Sequence, residues 1–119
     1  MNVLIVESEA TLSDLWRRHL ERQGATVAVA TSQKDAVEHL QFNDIQVIVL
    51  SLDLTEGSAL AIADFASYRR PGARVVFVTR TRFFSDGSIF QIAPNTAALV
   101  PSQTNPEDLA AIVEHHAAG

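Results

Sequence analysis

Two kinds of apolar pattern alternate along this chain. The first is a short, near-continuous run: Val3–Val6 (VLIV), 25–30 (ATVAVA), 45–50 (IQVIVL), 75–79 (VVFVT) and 97–100 (AALV). Such runs of β-branched and aliphatic residues predict buried strands. The second recurs every three or four residues. Leu12, Leu15, Trp16 and Leu20 fall at helical spacing within 11–23, and Gly24 supplies the stop. Ala36, Val37 and Leu40 make a stripe behind Ser32, a capping residue. Ser58 opens a helix to about Tyr68 carrying Leu60, Ala61, Ile62 and Phe65. Arg69-Arg70-Pro71-Gly72 is turn chemistry. A short helix is expected over 86–93, ended by Pro94-Asn95. In the last helix Asn105 is the N-cap, Pro106 takes the first helical position, and Glu107 and Asp108 complement the helix dipole.

The order is strand then helix, five times over. Strands apolar on both faces predict a parallel sheet covered on both sides, an α/β, doubly wound, three-layer arrangement. The chain has 119 residues, which suits one domain over 1–119 with a single continuous sheet. No internal repeat or low-complexity segment divides it. In such folds the working crevice lies beyond the carboxyl ends of the strands. Glu7, Ser8 and Glu9 follow the first strand; Ser51, Leu52 and Asp53 the third; Thr79, Arg80, Thr81 and Arg82 the fourth; Pro101 and Ser102 the fifth. The crevice should therefore collect carboxylates, arginines and hydroxyls. No glycine-rich loop follows the first strand, so neither the dinucleotide fingerprint nor the P-loop is present.

Taken in order, these motifs resemble the receiver domains of two-component response regulators. "LIVESE" is similar to their first strand and acidic pair, and "VIVLSLDLTEGSAL" to their phosphoacceptor strand and loop. "VVFVT" is similar to their fourth strand with its hydroxyl, and "ALVPS…NPEDL" to their fifth strand and last helix. The resemblance implies a flavodoxin-like sheet of five parallel strands in the order 2-1-3-4-5. It implies an aspartate at the end of the third strand that takes a phosphoryl group from a histidine kinase; the matching residue is Ser51. It implies an acidic pair that binds Mg²⁺; the matching residues are Glu7 and Ser8, with Glu9 beside them. The family's lysine falls on Pro101, or on Val100 in a shifted register, and its switch aromatic on Ala98, while Thr79 keeps the switch hydroxyl. Arg80 falls where the family usually has a small residue, and a guanidinium there can pair with Glu7, Glu9 or Asp53 in place of metal and lysine.

The chemistry makes these differences matter. An aspartyl phosphate is an acyl phosphate that can receive phosphate from phosphohistidine; a serine hydroxyl forms a stable ester and needs a base. Mg²⁺ commonly wants one or two carboxylates with phosphate and water oxygens, and hydroxyls at positions 8 and 51 remove charge from that set. No cofactor is expected, Mg²⁺ included, and no resident metal site. The chain is expected to be a receiver-like domain that signals through protein contacts with a histidine kinase or a downstream effector, or with a copy of itself. By resemblance the docking surface maps to about 86–118, with Ile89, Phe90, Ile92, Leu109 and Val113 as apolar contributors, some of which must face the core. Two alternatives stand beside this: a working phosphoacceptor built on Asp53 or on Ser51, and a small-ligand sensor using the crevice.

Charge and composition narrow the field further. The formal net charge is −5 and Lys34 is the single lysine. Arg17, Arg18 and Arg22 cluster but are diluted by Asp14 and Glu21, so a nucleic-acid partner is not expected. There is no cysteine, hence no disulfide framework and no thiol nucleophile. The start lacks the basic n-region of a signal peptide, and no apolar run is long enough to span a bilayer, so a cytoplasmic protein without a membrane partner is expected. His115-His116, adjacent on a helix, read as a solvated helix end, and His19 and His39 as helix surface. Phe83-Phe84 read as core filler ahead of a contact patch. No nucleophile elbow or Cys–His pair marks an enzyme.

Overall fold

The computed structural model of the protein describes residues 1–80 and 89–118. Its strands are β1 (Asn2–Val6), β2 (Thr26–Ala30), β3 (Val47–Ser51), β4 (Arg74–Thr79) and β5 (Thr96–Pro101). Its helices are α1 (Ala10–Arg22), α2 (Gln33–Phe42), α3 (Ala59–Arg69), α4 (Ile89–Ile92) and α5 (Pro106–Ala118). All five strands run parallel in the order β2-β1-β3-β4-β5, as the resemblance implies. Of the short helix expected over 86–93, the described part is Ile89–Ile92; Thr81, Arg82, Phe83, Phe84 and residues 85–88 lie outside the described residues.

The caps follow the sequence. Ser32 Oγ accepts the Asp35 N–H at 3.2 Å, and Ser58 Oγ accepts the Ala61 N–H at 3.2 Å. Asn105 Oδ1 accepts the Glu107 N–H at 2.9 Å. Glu9 precedes α1 without capping it through its side chain. Gly24 ends α1 with φ near +91°, a left-handed turn open to glycine.

Alternation within each strand sorts the core into two halves. Leu4, Val6, Ile48, Leu50, Val75 and Phe77 face α2, α3 and α4, packing on Ala36, Leu40, Ile62, Ala63, Ala66 and Ile89. Val3, Ile5, Val47, Val49, Val76 and Val78 face α1 and α5, packing on Trp16, Leu20, Leu109, Ala110 and Val113. Each fully buried aliphatic side chain contributes about 1.5–3 kcal/mol over its exposed state. Ala59, Ala63 and Ala66 are buried on α3, and its main neighbour is α2. Ile89, Leu109 and Val113 are 0–2% exposed, so the core claims three of the five residues expected on the docking surface; Phe90 and Ile92 remain outside at 45% and 55%.

Strand β1 lies between β2 and β3, where the winding of the chain reverses. This switch point is where an open α/β sheet leaves a crevice at its carboxyl edge. Glu7 and Ser51 stand there, one step past the Val6↔Leu50 and Val6↔Ala30 pairs.

Candidate functional site

By alternation from Ile5 and Val49, Glu7 and Ser51 fall on the face that carries α1 and α5. Both are buried, at 2% and 3% exposure. The Glu7 N–H is held by the Ala30 carbonyl at 3.1 Å, which fixes the exit of β1 against β2. Ser51 is the last residue of β3, and its hydroxyl accepts the Asp53 N–H at 3.2 Å, a local turn closed by a serine side chain. Asp53 lies outside the strand, in the turn, half-buried. Its Oδ2 accepts the Arg80 backbone N–H at 2.8 Å.

Arg80 leaves the end of β4 and crosses the crevice with its side chain. Its Nη2 donates to Glu9 Oε2 at 2.5 Å and lies 3.6 Å from Glu7 Oε1. Glu9 returns its own N–H to Glu7 Oε1 at 3.4 Å. One arginine thus contacts three acids: Glu7 and Glu9 through the guanidinium, Asp53 through the main chain. The guanidinium and Glu9 are half-exposed, at 51% and 50% of the side chain, while the Glu7 side chain is 3% exposed. A carboxylate so enclosed requires a counter-charge or hydrogen bonds, since an unpaired buried charge is costly.

Around this centre, hydroxyls hold the loops. Ser8 Oγ accepts the Thr55 N–H at 3.0 Å, meets the Thr55 hydroxyl at 3.1 Å, and lies 3.5 Å from the Thr31 carbonyl. The β3–α3 loop is tied a second time at Gln33. The Gln33 N–H donates to the Glu56 carbonyl at 3.1 Å, and Gln33 Oε1 accepts the Ser58 N–H at 2.8 Å. Gly57 makes this close approach possible. Its φ is +96°, and a Cβ there would stand 2.3 Å from Gln33 Cβ. Neither Gln33 nor Thr55 was singled out by the sequence: one looks like any first-turn helix residue, the other like any turn threonine.

Thr79 ends β4, buried at 6%, and its carbonyl accepts the Ser102 N–H at 2.8 Å. Pro101 stands opposite Thr79 at the exposed end of β5. Ala98 is half-buried opposite Val76 among the α1/α5-side residues, just after an irregularity between Val75 and Val76. The structure therefore gathers Glu7, Glu9, Asp53 and Arg80 into one contact network, with Ser51 beneath it. His19 Nδ1 lies 3.0 Å from the Leu15 carbonyl and His39 lies 3.8 Å from Asp35, both half-buried rather than free on the surface. His115 and His116 are in edge-to-face contact, ring centroids 5.1 Å apart. Among the described residues, no group of three or more His, Cys, Asp or Glu is arranged to hold a metal ion.

A sequence model of the response regulator receiver domain matches residues 3–92. The chain belongs to that family. No curated protein matches it significantly. Among solved structures, it is similar to a CheY-like receiver domain protein from Methanospirillum hungatei JF-1, with TM-score 0.88 and 20% identity over 98% of this chain and 93% of that one. The non-phosphorylated HemR receiver domain from Leptospira biflexa gives TM-score 0.87 and 18% identity over 99% and 94%. A response regulator from Burkholderia pseudomallei, solved with a phosphorylated aspartic acid, a calcium ion and citrate, gives TM-score 0.82 and 21% identity over 98% and 68%. At these identities the likeness is one of fold.

Proposed function

We propose that this chain is a receiver domain of two-component signalling that does not take up a phosphoryl group by the aspartate–metal route and signals through protein contacts. Receiver domains are generally signalling rather than catalytic modules, and the fold belongs to that class. The observation that carries the finer reading is Ser51. A buried hydroxyl ends β3 beside Glu7, and it is occupied as the acceptor of the Asp53 N–H. Among the described residues this oxygen has no hydrogen bond to a carboxylate or imidazole that would activate it, and a serine phosphate would be a stable ester rather than a labile relay. Asp53 supports the same reading against its own candidacy: it stands past the strand end, with Oδ2 engaged by the Arg80 N–H.

The donor set does not fit a resident Mg²⁺. The ion wants near-octahedral oxygen ligands with one or two free carboxylates. Here Glu7 and Glu9 share Arg80, Ser8 Oγ receives Thr55, and Ser51 Oγ receives Asp53. With 1–119 acting as one domain, partners would meet it in the cytoplasm at the surface of about 86–118, where Phe90 and Ile92 are exposed, and a second copy could use the same face. Among the described residues no helix is long and apolar enough to cross a membrane. The formal charge of −5 disfavours nucleic acid as the partner.

Incubation with acetyl phosphate and Mg²⁺, read by intact mass, tests this. The expected spectrum is unchanged. A hydroxylamine-labile gain of one phosphoryl group overturns the reading.

A further inference from the structure

The crevice holds a buried carboxylate, Glu7, that requires a partner. This carboxylate is almost wholly enclosed, and its partners among the described residues are the Glu9 N–H at 3.4 Å and Arg80 Nη2 at 3.6 Å. The same nitrogen donates to Glu9 Oε2 at 2.5 Å. One nitrogen of the delocalised guanidinium cation is thus seated between two carboxylates. The residue that carries it is also held by its main chain, through the N–H given to Asp53. Deepening the reading above, and resting on it, we propose that Arg80 is the built-in cation of this crevice: its guanidinium takes the role of a dissociable ion, and it positions the β1–α1 loop against the start of the β4–α4 connection.

Three features favour this over an ordinary surface ion pair. The pairing joins residues 71 apart in sequence, so it links two separate loops rather than decorating one helix. One of its acids is buried, where a lost partner leaves an uncompensated charge, unlike an exposed pair worth little. Arginine, permanently charged and able to fork between acceptors, suits two carboxylates approached from one side. The contrast within the molecule is direct. Arg17, on α1, bridges Asp14 and Glu21 at half-exposed positions one helical turn apart on its own element.

The test separates a cation's role from a merely structural one by asking whether a free cation can substitute. Thermal unfolding of the wild type, R80A, R80K and E7Q/R80A is measured with and without millimolar Mg²⁺. The wild type and R80K are expected to ignore the ion. R80A is expected to melt at least ~5 °C lower and to regain part of that loss with Mg²⁺. E7Q/R80A, with the buried charge removed, is expected to recover stability without Mg²⁺ and to respond to it less. R80Q carries the same expectations as R80A if the alanine variant does not fold. The proposal is overturned if R80A melts with the wild type, or if Mg²⁺ shifts the two equally, zero included. Its failure is distinct from failure of the functional reading, which rests on the phosphorylation state of the wild type alone.

Discussion

Replacing Gly57 by alanine tests how tightly the β3–α3 loop is latched over the crevice. Two separate costs are predicted. Gly57 has φ +96°, a conformation that costs a side-chain-bearing residue about 1–2 kcal/mol. The added methyl would also stand 2.3 Å from Gln33 Cβ and 3.3 Å from Gln33 Cα. Those atoms belong to the root of the side chain and to the backbone, so no rotamer change relieves the clash. The first turn of α2 must move, taking with it the Gln33 N–H bond to Glu56 and the Ser58 N–H bond to Gln33, about 1 kcal/mol each. The expected loss is therefore about 3–4 kcal/mol. Gly24 is the internal control. Its φ is nearly the same, +91°, but nothing lies within 4 Å of its would-be Cβ. G24A should lose only the backbone share, about 1–2 kcal/mol. Urea unfolding of both variants at unchanged m-value supplies the comparison, and amide exchange at Ser58 should quicken in G57A alone. If the two variants lose the same free energy to within ~0.5 kcal/mol, the close approach of Gln33 contributes nothing and the reasoning is wrong.

Other outcomes follow from the same geometry. S8A removes the acceptor of two Thr55 groups, and should cost about 1–2 kcal/mol and speed exchange of the Thr55 amide, read by NMR. R70A removes the side chain that donates to the Leu40 and Gln41 carbonyls and pairs with Asp44; a loss of about 2 kcal/mol in urea unfolding is expected, with R70K recovering only part. His116 is held below its ordinary value, first by burial, then by the neighbouring charges of His115 and Arg74. The unfolded chain therefore takes up that proton first, so the contribution is whole above about pH 6.5 and is lost as pH falls through the depressed native value. Urea midpoints at about pH 7.5 and about pH 5.5 should show this fall in the wild type and a smaller one in H116Q.

Much of the architecture could be read from the chain because its local signals agree. Each strand is a short run apolar on both faces, and Ser32, Ser58 and Asn105 announce the helices they cap. Boundaries moved by a residue or two, as at β3, expected over 45–50 and found at Val47–Ser51. Membership of the core was less legible in the last third. Ile89, Phe90 and Ile92 are similar residues within four positions, and only packing against α3 and the sheet decides that Ile89 turns inward. At the crevice, topology alone brings Glu7, Ser51, Asp53 and Arg80 to one end of the sheet. Which acid meets which nitrogen was open in the sequence, since Arg80 faced three candidates; the rotamers and the turn at Asp53 divide them between side chain and main chain. The latch at Gln33 left no trace in the sequence, because its hydrogen bonds are to backbone groups that every residue carries.

Pro101 has a consequence at the rim of the sheet. Among the described residues β5 pairs only with β4, and its far side is an edge of the sheet. The Ser102 N–H points inward to Thr79, and by alternation the position before it points outward. That outward donor is missing, because the residue is proline. An incoming strand cannot continue its ladder at that position, so a protein that approaches the crevice from this flank lacks that main-chain hydrogen bond. The same gap protects the rim from zippering to a neighbour.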